Sequence, residues 1–249
     1  LGHLIEETDD YYKLVSRDGI EIVVPKSSVK ELEFIITKEQ GGEIFRPDPN
    51  KSMYLFAPSA YPIEDEKAYC RDFCLFFPSY NRGLGNNISI QAGAFIVPGM
   101  EIEFVPIVLS AKYSLSKVGS ARFATGIMYI SLPLTDSGEN FGAGFTFATA
   151  TFGNLFNHFS SSIGWGYFRD ENDWEFAEDP ILVLAGNSRI SQDFSMVAES
   201  WLAVEMETVP IMLSGRFIGR KIAVDLGFIL TTEMEGIPVP LINFTYHMQ

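Results

Sequence analysis

Residues Lys221 to Leu230 alternate without a break: Ile222, Val224, Leu226, Phe228 and Leu230 fall on one side of an extended chain, and Ala223, Asp225 and Gly227 on the other. A period of two is the signature of a β-strand with one apolar face. The same pattern recurs along most of the chain. Between Phe159 and Tyr167, the residues Phe159, Ile163, Trp165 and Tyr167 oppose Ser160, Ser162, Gly164 and Gly166. Between Val105 and Leu115, bulky residues at 105, 107, 109, 113 and 115, with Ala111 in phase, oppose Ser110, Lys112 and Ser114. Similar runs occupy 88–96, 141–151, 209–217 and 242–248. A chain written this way folds into all-β architecture.

The side on which the bulky residues stand decides between a soluble and a membrane barrel. A soluble sandwich or barrel turns its large apolar residues inward. Here the smaller face holds Gly, Ser, Thr and Ala with scattered charges, and aromatics gather near the ends of the bulky face (Tyr113, Trp165, Tyr167, Phe217, Tyr246). That is the inverted pattern of a lipid-facing band with aromatic girdles around a polar lumen. The runs are nine to twelve residues long, which suits a tilted membrane strand. The stretch 141–168 has no Asp, Glu, Lys or Arg, but it alternates and is interrupted by Gly153-Asn154, so it reads as a strand hairpin and not as a membrane helix.

From residue 52 the periodicity predicts a transmembrane antiparallel β-barrel of about twelve strands, near 53–60, 67–80, 86–97, 102–116, 120–133, 140–152, 157–168, 180–190, 193–204, 208–218, 220–231 and 237–248. Residues 1–38 read as a small periplasmic β segment, with runs at 11–15 and 20–24 split by Arg17-Asp18-Gly19 and a third run at 29–36. Residues 39–51 read as a Gly- and Pro-rich linker, and 52–249 as the barrel. The start of the chain is too polar for a signal peptide. Short, partly basic connections (Asn81-Arg82-Gly83, Lys117-Val118-Gly119, Arg220-Lys221) are expected on the periplasmic side, and Glu64-Asp65-Glu66-Lys67 and 169–179 outside.

The net charge of −14, with no Lys/Arg cluster, excludes a nucleic-acid role, because phosphate binding needs a basic footprint. A mean hydropathy of +0.11 is high for so acidic a chain, as an apolar outer band requires. Cys70 and Cys74, placed on one strand, would lie roughly 13 Å apart, beyond disulfide reach; they read as wall residues without a chemical role.

The last strand, 237–248, looks like the C-terminal strand that outer-membrane proteins present to the assembly machinery. More broadly, the chain resembles a group of uncharacterised outer-membrane β-barrel proteins of the Bacteroidetes and related phyla. The matching stretches are Pro47-Asp48-Pro49-Asn50 with Tyr54-Leu55-Phe56-Ala57-Pro58-Ser59-Ala60, then Gly85-Asn86-Asn87-Ile88-Ser89-Ile90, then Ala150-Thr151-Phe152-Gly153-Asn154, and Gly19 to Lys26 in the N-terminal unit. The resemblance implies a Gram-negative outer membrane, a porin-like fold and the small strand unit before it. It implies no catalytic residues.

Asn157-His158-Phe159-Ser160 is similar to the His-x-Ser of outer-membrane phospholipase, in which His activates the Ser nucleophile and an Asn orients the His. Ser161-Ser162 stand where that family has Asn-Gly, and the stretch reads more simply as polar residues flanking a turn. The acidic stretch with Asp170, Glu171, Asp173 and Glu175 could gather carboxylates around a cation, without the spacing of an EF-hand; a solvated loop is the simpler reading. Lys112, Arg122, Arg189, Glu199, Arg216 and Asp225 are read as lumen-lining charges, with Asp225 expected opposite Arg216 across their shared hairpin. His247 is read as a lumen-facing polar residue, and Gly153, Gly164 and Gly166 as barrel-shaping glycines. No metal or other cofactor is expected. The expected partners are outer-membrane lipid and other envelope proteins. The sequence favours a non-enzymatic barrel serving as a structural or accessory subunit of an envelope complex; the alternative is a passive channel or uptake barrel for small solutes, and an outer-membrane phospholipase-like hydrolase is a distant third.

Overall fold

The computed structural model describes residues 2–16, 19–29, 38–40, 43–45, 48–133, 140–170, 173–203, 208–231 and 238–248. The chain divides into two compact units, Leu1–Thr37 and Lys38–Gln249.

In the first unit, β1 (Gly2–Glu7), β2 (Tyr11–Ser16) and β3 (Glu21–Pro25) form an antiparallel sheet in that order. Strand β1 was not foreseen, because its polar Glu-rich sequence lacks the periodic apolar face on which strand assignment rests. The expected third run lies almost wholly outside the described residues. In the second unit, β4 (Lys38–Gln40) and β5 (Glu43–Phe45) make a short hairpin that starts at the last residue of the expected N-terminal segment and otherwise falls in the stretch expected to be a linker.

Twelve further strands close into an antiparallel barrel. They are β6 (Ala68–Phe73), β7 (Phe77–Leu84), β8 (Ile88–Ala94), β9 (Ile107–Ser114), β10 (Ala121–Pro133), β11 (Asn140–Gly153) and β12 (Asn157–Asp170), then β14 (Ile181–Ser191), β15 (Phe194–Ala203), β16 (Pro210–Ile218), β17 (Ile222–Thr231) and β18 (Val239–Met248). Neighbours in sequence pair all the way round, and β18 pairs with β6 to close the wall (Met248↔Ala68). A short strand, β13 (Asp173–Phe176), folds back on the end of β12.

The twelve strands are not the twelve read from the sequence. Residues 67–80 form two strands, joined by a tight turn in which Cys74 and Leu75 both adopt positive φ (54° and 65°). Turns of that kind favour Gly, Asn or Asp, so this one left no sequence signal. Cys74 therefore sits in a turn while Cys70 is exposed on β6, and both thiols are free. Residues 53–60, expected to be the first strand, are not in the wall at all.

The strand phase follows the alternation. On β7, Phe77, Ser79, Asn81 and Gly83 are buried, while Pro78, Tyr80, Arg82 and Leu84 are exposed. On β17, Asp225 is 2% exposed and its neighbour Leu226 is 48% exposed. An outward band of half-exposed Leu, Ile, Phe and Tyr wraps the barrel, as a surface meant for hydrocarbon requires. Tyr129, Tyr167, Trp174 and Phe176 cluster at one rim, with neighbouring ring centroids 5.6–6.3 Å apart.

Connections 85–87, 115–120, 154–156, 192–193 and 219–221 share one end with the start of β6 and the end of β18. At the other end, the loop end, 74–76 and 95–106 join strands, and β10, β12, β15 and β17 finish. Glu64 to Lys67 lie at the first end, contrary to expectation: Asp65 bridges to Gly83, and its Oδ1 accepts from the Gly85 amide at 2.7 Å. Asn81, Arg82 and Gly83 belong to β7 and not to a turn. Gly153 turns the chain at φ +110°, and a Cβ on Gly164 would come within 2.2 Å of the Thr146 carbonyl oxygen. Gly166 has ordinary room for a side chain and needs no such explanation.

Candidate functional site: a chain segment held inside the barrel

Residues 48–63 lie inside the lumen, entering and leaving by the end that holds the start of β6 and the end of β18. Tyr54, Leu55, Ala57, Ser59, Ala60 and Tyr61 are buried, and the apolar core forms where Tyr54, Leu55 and Ala57 meet Val183, Ala185, Val197, Met212 and Leu241 of the wall. Pro58 and Pro62 mark this stretch as unfit for a central strand, since proline donates nothing to a ladder. That was the available signal, and the apolar composition of 54–61 masked it.

The segment folds back on itself, with Met53 and Pro58 bridged antiparallel and Tyr54 N donating to Ala57 O at 2.9 Å, but its remaining buried backbone groups have no strand to pair with and must still be satisfied. Polar side chains of the wall take the place of the missing ladder. Lys112 Nζ, on β9, donates to the carbonyl oxygens of Ser52 (3.0 Å), Ser59 (2.8 Å) and Tyr61 (2.8 Å). Glu199, on β15, accepts through Oε2 from the amides of Leu55, Phe56 and Ala57 at 3.0, 2.9 and 2.9 Å, and through Oε1 from Trp201 Nε1 at 2.7 Å. Three successive amides converging on one anion make a backbone nest. Arg216 Nη2 donates to the Tyr54 carbonyl at 2.7 Å, and Arg71 Nη2 donates to the Tyr54 carbonyl at 3.1 Å and to that of Leu55. Thr151 Oγ1 accepts from Ala60 N at 2.8 Å, and Ser89 Oγ from Ile63 N at 3.0 Å.

Asp225 organises the cations. Arg216 and Asp225 are directly paired in register, with Nε to Oδ1 at 2.6 Å and Nη2 to Oδ2 at 3.2 Å. Arg71 Nη2 lies 3.6 Å from Asp225 Oδ2, Asn243 Nδ2 donates to the same oxygen at 3.2 Å, and Asp48 Oδ2 is 3.8 Å from Arg216 Nη1. Two buried guanidiniums are thus faced by two buried carboxylates, the arrangement that makes ion burial tolerable.

Of the six charges read as lumen-lining, Lys112, Glu199 and Arg216 grip the segment and Asp225 supports the grip. Arg122 lies over the Tyr61 ring at 5.0 Å. Arg189 faces inward but is turned to the β14–β15 connection, where Nε donates to Ser191 O at 2.8 Å and Nη2 to Gln192 O. Arg71 and Asp48 were missed: Arg71 because 67–80 was read as one strand, Asp48 because it was assigned to a linker. His247 faces inward and contacts Asn50 Oδ1 at 3.1 Å.

His158 and Ser160 share the inner face, but among the described residues no hydrogen bond joins them. The Ser160 hydroxyl instead bonds with Tyr54 Oη and Thr151 Oγ1, each at 2.6 Å, and His158 packs between the rings of Tyr54 and Tyr61. The acidic stretch, expected to be a loop, is partly a strand: Asp170 pairs with Asp173 and Phe168 with Glu175 across the β12–β13 hairpin, where Asp173 and Glu175 are exposed. Glu171 lies outside the described residues. Among the described residues no group of three His, Cys, Asp or Glu side chains is placed to hold a metal ion.

No protein-family model matches the chain, and comparison with curated proteins finds no match. Among solved structures, the chain is similar to one described as a KdgM porin in complex with disordered oligogalacturonate. The TM-score is 0.50 at 6% identity, and the match covers 74% of this chain and 98% of that one. The chain has the fold of a porin-like outer-membrane β-barrel. At so low an identity the likeness speaks to architecture alone, and the lumen of this barrel has to be read from its own residues.

Proposed function

We propose that the protein is a non-enzymatic uptake barrel of the outer membrane for small solutes, closed at rest by residues 48–63. The observation that supports this reading most is that the wall is complete without the segment. All twelve strands are paired around the circumference, and the segment is attached through side-chain hydrogen bonds and packing and not through ladder pairing. Its release would leave a closed barrel lined by Ser, Thr, Asn and charged groups beside an apolar inner patch that includes Val183, Val197, Met212 and Leu241. The likeness to a porin supports the same reading. A second reading, a structural barrel of the envelope, draws on the full engagement of Lys112, Glu199, Arg216 and Asp225 with the segment or with each other. In both readings the end with the short connections and Lys117, Arg220 and Lys221 faces the periplasm, with residues 1–37 on that side, and the acyl chains of the membrane meet the outward band.

Single-channel recording in planar bilayers separates the two. The native chain should be silent, and a barrel whose residues 48–63 are exchanged for a Gly/Ser stretch of equal length should conduct steadily. If the exchanged barrel is heat-modifiable on gels, and so folded, yet remains silent, the uptake reading fails and the structural one stands. Steady conductance by the native chain would show that the segment does not close it.

A further inference from the structure

On the loop-end side of the segment, the Phe56 ring reaches into an aromatic box built by the wall. Its centroid lies 5.3 Å from that of Phe73, 6.3 Å from Phe77 and 5.9 Å from Trp201, and Trp201 in turn lies 5.8 Å from Phe145. Phe73 and Phe77 face each other across the β6–β7 hairpin, Trp201 stands near the end of β15, and Phe145 comes from the middle part of β11. A cavity of about 50 Å³ adjoins the box, bordered also by Gln91 and Ser110. Those two residues face each other in register on β8 and β9, and among the described residues their side chains have no hydrogen-bond partner. Arg71 Nε, buried at the same cavity, likewise has no partner there.

We propose that Phe73, Phe77, Phe145 and Trp201 form a lumenal binding site for an uncharged aromatic solute bearing a hydroxyl or carbonyl group, and that Phe56 occupies it at rest. This names the solute class of the uptake barrel proposed above and rests on that reading. Phe56 contributes a ring at the tip of the segment, and the wall meets it with rings on several sides. The solute is uncharged because the neighbouring charges are already matched: Arg71 and Arg216 face Asp225, and Glu199 is covered by four N–H donors. Gln91, Ser110 and Arg71 Nε supply the polar corner. An apolar cavity of roughly 150 Å³ can bind benzene, about three times the existing space, so a ring enters by replacing that of Phe56. Because Glu199 holds both the Phe56 amide and the Trp201 indole, displacement of the ring bears directly on the nest that fixes the segment.

Phenol, neutral at pH 7, is the probe, measured by calorimetry on the full chain in detergent. Phe56→Ala should bind phenol at least tenfold tighter than the native chain, benzoate should show no such gain, and the double variant Phe56→Ala/Trp201→Leu should lose it. In the native chain, saturating phenol should raise hydrogen exchange at the Leu55, Phe56 and Ala57 amides at least tenfold, a measurement that needs no variant to fold. The site is refuted if Phe56→Ala gains nothing while remaining heat-modifiable, if benzoate gains as much as phenol, if the double variant keeps the gain, or if exchange is unchanged. Silence of the segment-exchanged barrel in bilayers would overturn the uptake reading without touching phenol binding, and absence of phenol binding would leave a conductance result intact.

Discussion

Replacing Glu199 with Gln removes one charge and almost no volume at the point where the segment is held most tightly. Hydrogen bonds to a charged acceptor contribute about 1.5–3 kcal/mol and neutral ones about 0.5–1.5 kcal/mol, so neutralisation costs on the order of 1 kcal/mol at each of three amides. The glutamine NH2 must also face either the amides of Leu55 to Ala57 or the Trp201 indole N–H, setting donor against donor at a further cost of about 1–3 kcal/mol. Glu199 is only 2% exposed, and relief from burying its charge offsets part of this. The net expectation is roughly 3–4 kcal/mol against the docked segment, about 10²- to 10³-fold in the docking equilibrium at 1.4 kcal/mol per tenfold. Native-state hydrogen exchange reads such local opening site by site. In Glu199→Gln the amides of Leu55, Phe56 and Ala57 should exchange about two to three orders of magnitude faster, while amides in the middle of β16 and β17 keep their protection. Exchange within tenfold of the native chain at all three amides would mean that the nest does not hold the segment.

Two further outcomes test the wall and the N-terminal unit. Leu226→Arg should cost roughly 2–4 kcal/mol if the residue sits near the bilayer midplane, read as a lower denaturant midpoint in lipid; an unchanged midpoint would contradict the outward phase of β17. Removing residues 1–37 should leave a barrel that still runs heat-modifiably on gels, because that unit is compact by itself; failure of the remainder to assemble would make the unit part of barrel folding.

The alternation of side chains is a local property, so the sequence by itself determined the all-β class, the inverted apolar face and the phase of most strands. The partnership of Arg216 and Asp225 was legible for the same reason: both lie near one short turn, and the hairpin register follows from it. The count of twelve was reached through two offsetting misreadings, and both concern places where local signals mislead. Cys74 and Leu75 turn the chain without any turn-forming residue, so 67–80 passes for one strand and Arg71 goes unnoticed. Residues 53–60 have strand-like composition, and Pro58 alone speaks against it. Only the tertiary structure decided that this segment lies inside the barrel, because its partners come from remote strands: Glu199 lies 144 residues from Leu55, and Arg216 lies 162 from Tyr54. Which buried charge meets which backbone group depends on closing the wall, and no periodicity along the chain encodes that closure.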